Sequence, residues 1–119
     1  MKQPDVAKYL RDALRAANDA TLFIGEKTSD EYVASQILTA AVERKLMIVG
    51  EALWRADKLD SALSASISNL RRILGLRHRL VHGYEQIDSR AIYAIVRDDL
   101  PVLVRELEAL LPGIESAPE

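Results

Sequence analysis

An arginine and a histidine, Arg77 and His82, stand five positions apart in this chain of 119 residues. An imidazole titrates near neutral pH, so it can take a proton from a ribose 2′-hydroxyl or give one to a departing oxygen. A guanidinium stays charged and can fork onto two phosphate oxygens, where it stabilises the extra negative charge of a pentacoordinate transition state. Together the two residue types suit cleavage of an RNA phosphodiester, in a scheme that needs no metal. The spacing alone is a weak signal. An Arg and a His separated by four residues are common by chance, and two solvated cations at a helix C-terminus also suit the helix dipole.

On an ideal helix five residues advance about 140° in azimuth, so Arg77 and His82 do not stack on one face. Two arrangements bring them together: a loosened last turn before Gly83, or a two-fold axis that sets two copies of the pair along one cleft. The spacing does not choose between them. His78 lies one turn before His82 and can share its face. Glu51, in the apolar stretch from Met47 to Leu53, needs a partner if buried. It can orient Arg77 or His82, or pair with Arg55 at i+4. Arg72 and Arg79 can supply further phosphate contacts. Trp54 reads as core or subunit interface rather than a platform for a base.

Helices must hold these groups. Apolar residues recur at helical spacing from about Asp5 to Ile24, with Pro4 or Asp5 at the start and Gly25 as the stop. Thr28-Ser29-Asp30-Glu31 fits a capping box. It opens a helical stretch to about Ala56, with a bend or break near Ser35-Gln36 and Val33, Ile37, Leu38 and Val42 among its core residues. Gly50 inside it costs up to ~1 kcal/mol against Ala and suggests a close helix-helix approach. Lys58 to Ser68 suits a short helical turn between loops. A third helix covers roughly Ser68 to Val81, with Gly83 placed for a left-handed cap. Asp88 or Ser89 caps the last helix. Pro101 predicts a kink or break near Asp99-Leu100. Pro112-Gly113 is the expected end, with a disordered tail over 113–119. The expected fold is a single all-α domain over 1–119, an up-and-down four-helix bundle with a kinked last helix.

The composition, with 49% hydrophobic and 29% charged residues, is that of a globular domain. The formal net charge of -2 implies no whole-molecule attraction to nucleic acid, so any RNA contact must be local. Basic residues do cluster: Arg71, Arg72, Arg77 and Arg79 fall in a run from Ser61 to Tyr84 that holds no acidic residue. The absence of cysteine excludes disulfides and thiolate metal sites and fits a reducing cytoplasm. The N-terminus has no apolar signal core, and no apolar run approaches the roughly 20 residues of a membrane helix. The expectation is a cytoplasmic protein with no membrane contact.

The run Gly75-Leu76-Arg77-His78-Arg79-Leu80-Val81-His82-Gly83-Tyr84, followed by Ile87-Asp88, resembles the HEPN motif of HepT-like proteins. That motif is R-x4-H followed by G-Y, with an Ile-Asp pair opening the last helix. Ala41-Val42-Glu43-Arg44, Ile48-Val49-Gly50-Glu51-Ala52 and Asp99-Leu100-Pro101 resemble further landmarks, so the likeness runs from about residue 5 to 111. The resemblance implies a homodimer and a metal-independent endoribonuclease that acts as a toxin, on tRNA or mRNA, without a cofactor. It implies Arg77 and His82 as catalytic residues and a minimal nucleotidyltransferase as antitoxin. It also implies Tyr84 as a residue modified with AMP; a charged adduct there would block phosphate entry beside His82 and neutralise Arg77.

One position departs from the pattern: His78 stands where the family commonly has Asn. It can replace the amide's hydrogen bonds, act as a second acid-base group, or form a two-His metal site that lacks an assured third ligand. The departure keeps a second reading in play, a HEPN dimer that binds RNA, nucleotide or a partner protein without cutting. A purely structural helical dimerisation domain is the third.

Overall fold

The computed structural model describes residues 2–83 and 87–116, with side chains from residue 5 onward. The described residues are helical throughout apart from short connections and contain no strand. The first helix, α1 (Lys2–Ile24), begins a little before the expected Pro4 or Asp5, because proline is tolerated in a first turn, where no N–H is needed. It ends at Gly25, whose φ of 56° is left-handed and free of steric cost only for glycine. Ala13, Ala16, Ala17 and Ala20 form a buried seam of small side chains on α1. That seam packs on α3 (Gln36–Leu59).

Between them sits the short α2 (Ser29–Val33), opened by the full capping box. The Thr28 N–H donates to Glu31 Oε1 at 2.8 Å, and the Glu31 N–H donates to Thr28 Oγ1 at 3.1 Å. The expected break falls at Ser35, whose side chain caps α3 by accepting from the Leu38 N–H. This break re-aims the chain. Val33 and Ile37, expected in the core, are exposed, Ile37 by 85%, while Tyr32 is fully buried.

A 3-10 turn (Ser61–Ala65) follows α3, then α4 (Leu70–His82). Leu70, Ile73, Leu76 and Leu80 of α4 enter the core, and the helix packs on α3. Gly83 ends α4, but not in the expected left-handed conformation: its φ is −126°, and its N–H still donates to the Arg79 carbonyl at 2.7 Å. The α-helical bonding pattern therefore runs unbroken through His82.

The last segment comprises α5 (Ser89–Ala94), a π-helical turn (Ile95–Asp99) and α6 (Leu100–Ser116). Asp88 caps it, accepting from the Arg90 and Ala91 N–H groups. Pro101 has no N–H for the Arg97 carbonyl, and the wide π turn just before it absorbs the mismatch. The expected kink is thus a bulge, with ordinary helical backbone on both sides. The bulge is tied to the α1–α2 turn: Arg97 donates to the Gly25 and Lys27 carbonyls, and the Tyr93 hydroxyl donates to the Lys27 carbonyl at 2.6 Å. Pro112 does not end the helix. Residues 113–116, expected to be disordered, continue α6, held by Leu111 in the core and by an Arg11–Glu115 ion pair to α1 at 2.5 Å.

Candidate active site

Arg77 owes its position to Gly50. A Cβ built on Gly50 would lie 2.4 Å from Arg77 Cβ, so only a bare Cα lets α4 come this close to α3. The approach sets the guanidinium against the outward face of α3, where Glu51, Trp54, Arg55 and Lys58 recur at i, i+3, i+4 and i+7. Arg77 Nε donates to Glu51 Oε1 at 2.9 Å, and Nη2 lies 2.8 Å from the same oxygen. The other carboxylate oxygen accepts from Arg55 Nε at 2.9 Å. Both expected roles of Glu51, anchor of Arg77 and partner of Arg55, are therefore filled at once. These bonds hold its carboxyl below the ordinary carboxylate range, the bond from Arg77 contributing most.

The guanidinium also lies over the Trp54 ring, 4.9 Å from its centroid. Its edge is thus fixed by Glu51 and its face by Trp54. The Arg77 side chain retains 22% of its exposure, and Nη1 carries no bond among the described residues.

His82 and His78 are both exposed on α4, their ring centroids 4.9 Å apart. No hydrogen bond joins His82 to Arg77 or Glu51 among the described residues, and the regular last turn keeps Arg77 and His82 on different faces. Among those residues no three His, Asp or Glu side chains gather as a metal site. Arg72 and Arg79 lie away from Arg77. They border a hollow of about 310 Å³ toward the π turn, where Arg72 pairs with Asp99 at 3.1 Å. The Tyr84 assignment lies outside the described residues. Trp54 was not expected beside Arg77; its spacing from Glu51, at i+3, is the signal in the sequence for that place.

Val81, next to His82, is 40% exposed. It closes one end of a groove of about 670 Å³ between α1 and α3, floored by Tyr9, Ala16, Met47 and Ile48 and edged by charged side chains. No helix among the described residues is long and apolar enough to cross a membrane.

An all-helical domain that presents an anchored arginine and two exposed histidines from one short helix is thus defined. The chain belongs to the HepT-like ribonuclease family: the family model described as "Ribonuclease HepT-like" matches residues 13–110. It is 31% identical over 110 residues to a Methanocaldococcus jannaschii protein named "Putative RNase MJ1380", covering 91% of this chain and 98% of the relative. It is 28% identical over 102 residues to the "Probable ribonuclease HepT" of Thermococcus cleftensis, covering 86% of this chain and 92% of that one. No solved structure matches significantly.

Proposed function

We propose that this protein is a metal-independent endoribonuclease, the toxin of a pair whose antitoxin is a minimal nucleotidyltransferase, and that it works as a homodimer of four-helix bundles. The observation that carries the reading is the anchored guanidinium: Arg77 is oriented by Glu51 and Trp54 with Nη1 left for a phosphate. In the reaction, the ribose 2′-oxygen attacks phosphorus, the bond from phosphorus to the 5′-oxygen breaks, and a 2′,3′-cyclic phosphate and a 5′-hydroxyl result. His82 takes the 2′-proton, and a second imidazole returns one to the leaving oxygen. Arg77 holds the charge that builds on the phosphoryl oxygens.

A two-fold axis supplies what one chain lacks. Arg77 and His82 diverge on a regular helix, whereas two copies of α4 facing each other bring two arginines and two histidines to one cleft. The groove that Val81 borders beside His82, with its apolar floor and charged rim, supports such a pairing. His78, beside His82, takes the place of the usual amide in orienting it or the RNA. Arg72 and Arg79 extend the phosphate track along the other side of α4. Tyr84 is the acceptor of AMP from the antitoxin, and the site of action is the cytoplasm.

The test is RNA cleavage by the purified protein in EDTA. Products ending in a 2′,3′-cyclic phosphate are expected. Loss of cutting in EDTA would point to a metal at the two histidines instead. Binding without cutting of any RNA offered would favour the alternative, a HEPN dimer that holds RNA, nucleotide or a partner protein. For Tyr84, mass spectrometry after co-expression with the cognate transferase should find AMP on that residue and not elsewhere.

A further inference from the structure

Trp54 is the chain's only tryptophan, and it lies half-buried at the outer end of α3. Two cations lie over its ring, the Arg77 guanidinium at 4.9 Å and the Lys58 ammonium at 4.7 Å from the centroid. Their situations differ. Arg77 is tied to Glu51 and half-buried, so it stays. Lys58 is exposed, on a flexible stem, and forms no ion pair among the described residues. A solvated ammonium over an indole contributes about 0.5–1 kcal/mol and is readily exchanged for another partner.

We propose that Trp54 is a stacking platform for one unpaired nucleobase of single-stranded RNA, next to the phosphate held by Arg77. The ring offers an apolar π-face at the edge of an otherwise charged surface, and every base has a matching face. Arg77 and Lys58 both lie against the ring, and Glu51 is already engaged by Arg77 and Arg55, so the backbone of a stacked nucleotide meets the Lys58 ammonium and the Arg77 guanidinium. An incoming base takes the part of the ring that Lys58 covers. The displaced ammonium then pairs with the adjoining phosphate. Stacking selects an unstacked base, so a paired stem is refused and a loop or single strand accepted. The inference rests on the ribonuclease reading for its choice of RNA as ligand, but its test needs no cutting.

Because Trp54 is the single tryptophan, its fluorescence reports on this site alone. The probes are a short 2′-O-methyl oligoadenylate, which lacks the attacking hydroxyl, and an abasic strand of equal length and charge. Saturable quenching by the oligoadenylate and none by the abasic strand is expected. Trp54→Leu should weaken oligoadenylate binding about five- to a hundredfold and abasic binding clearly less, while Trp54→Phe keeps most of the affinity for both. Lys58→Met should make oligoadenylate binding less steeply salt-dependent, by roughly one phosphate contact. Equal quenching by both strands, or full affinity in Trp54→Leu, would overturn the platform. So would an emission that shifts on dilution of the protein but answers to neither strand, which would make Trp54 part of a subunit interface. If the leucine variant does not fold, the two probes on the unaltered protein still decide. Failure of the ribonuclease reading shows separately, as an absence of cutting whatever Trp54 reports.

Discussion

Glu51 accepts from Arg77 with one carboxylate oxygen and from Arg55 with the other, which couples the candidate arginine to pH. Its carboxyl is held below the ordinary value of about 4.3, chiefly by the Arg77 bond. A lowered folded value means the stabilisation is complete above the unfolded pKa and is lost as pH falls through the folded one. The carboxylate is well exposed, so solvent screens the pair and the effect stays under about 1 kcal/mol. Comparing the thermal stability of Glu51→Gln with the parent across pH should show a gap at neutral pH that closes in acid below about pH 4. A gap of constant size would mean the pair does not carry it. The resemblance made Arg77 and Glu51 legible as partners; burial did not, since the carboxylate is partly exposed. The half-buried Trp54 beside them was not, because an indole at this spacing also fits a core or an interface, and its place against Arg77 follows only from the α3–α4 approach.

At the scale of elements, Gly50 shows what the site costs. A methyl at Gly50 meets Arg77 Cβ, whereas one at Gly75, in α4, meets nothing within 4 Å. Gly50→Ala should therefore destabilise by about 1–3 kcal/mol from overpacking, less the up to ~1 kcal/mol of helix propensity regained. Gly75→Ala should stabilise by up to ~1 kcal/mol. Chemical denaturation of both variants checks the opposite signs; equal signs would remove the close approach from the account. The capping box, the break at Ser35 and the cap at Asp88 were legible because each is a local bargain between a side chain and orphan N–H groups. The fate of Pro112 was not. A proline near a helix end is a stop only if nothing beyond it is anchored, and here Glu115 reaches Arg11 on α1 across the fold. Ile37 was misplaced for a related reason, since the turn between α2 and α3 sets which face of α3 meets the core.

At the scale of the molecule, the helical architecture follows from the periodicity of the apolar residues, but a partner surface does not. In the proposed dimer, the groove from Tyr9 to Val81 takes part of the second copy. Because Val81 is exposed, Val81→Arg should leave the fold intact and shift the sedimenting species from dimer to monomer. A variant that still sediments as a dimer would place the interface elsewhere. The central claim concerns Arg77 and His82. It is tested most directly by the rate at which purified Arg77→Ala and His82→Ala proteins cleave RNA in EDTA, each confirmed folded. The account predicts that both fall about a hundredfold or more below the parent protein. Cleavage by both variants at the parent rate would contradict it.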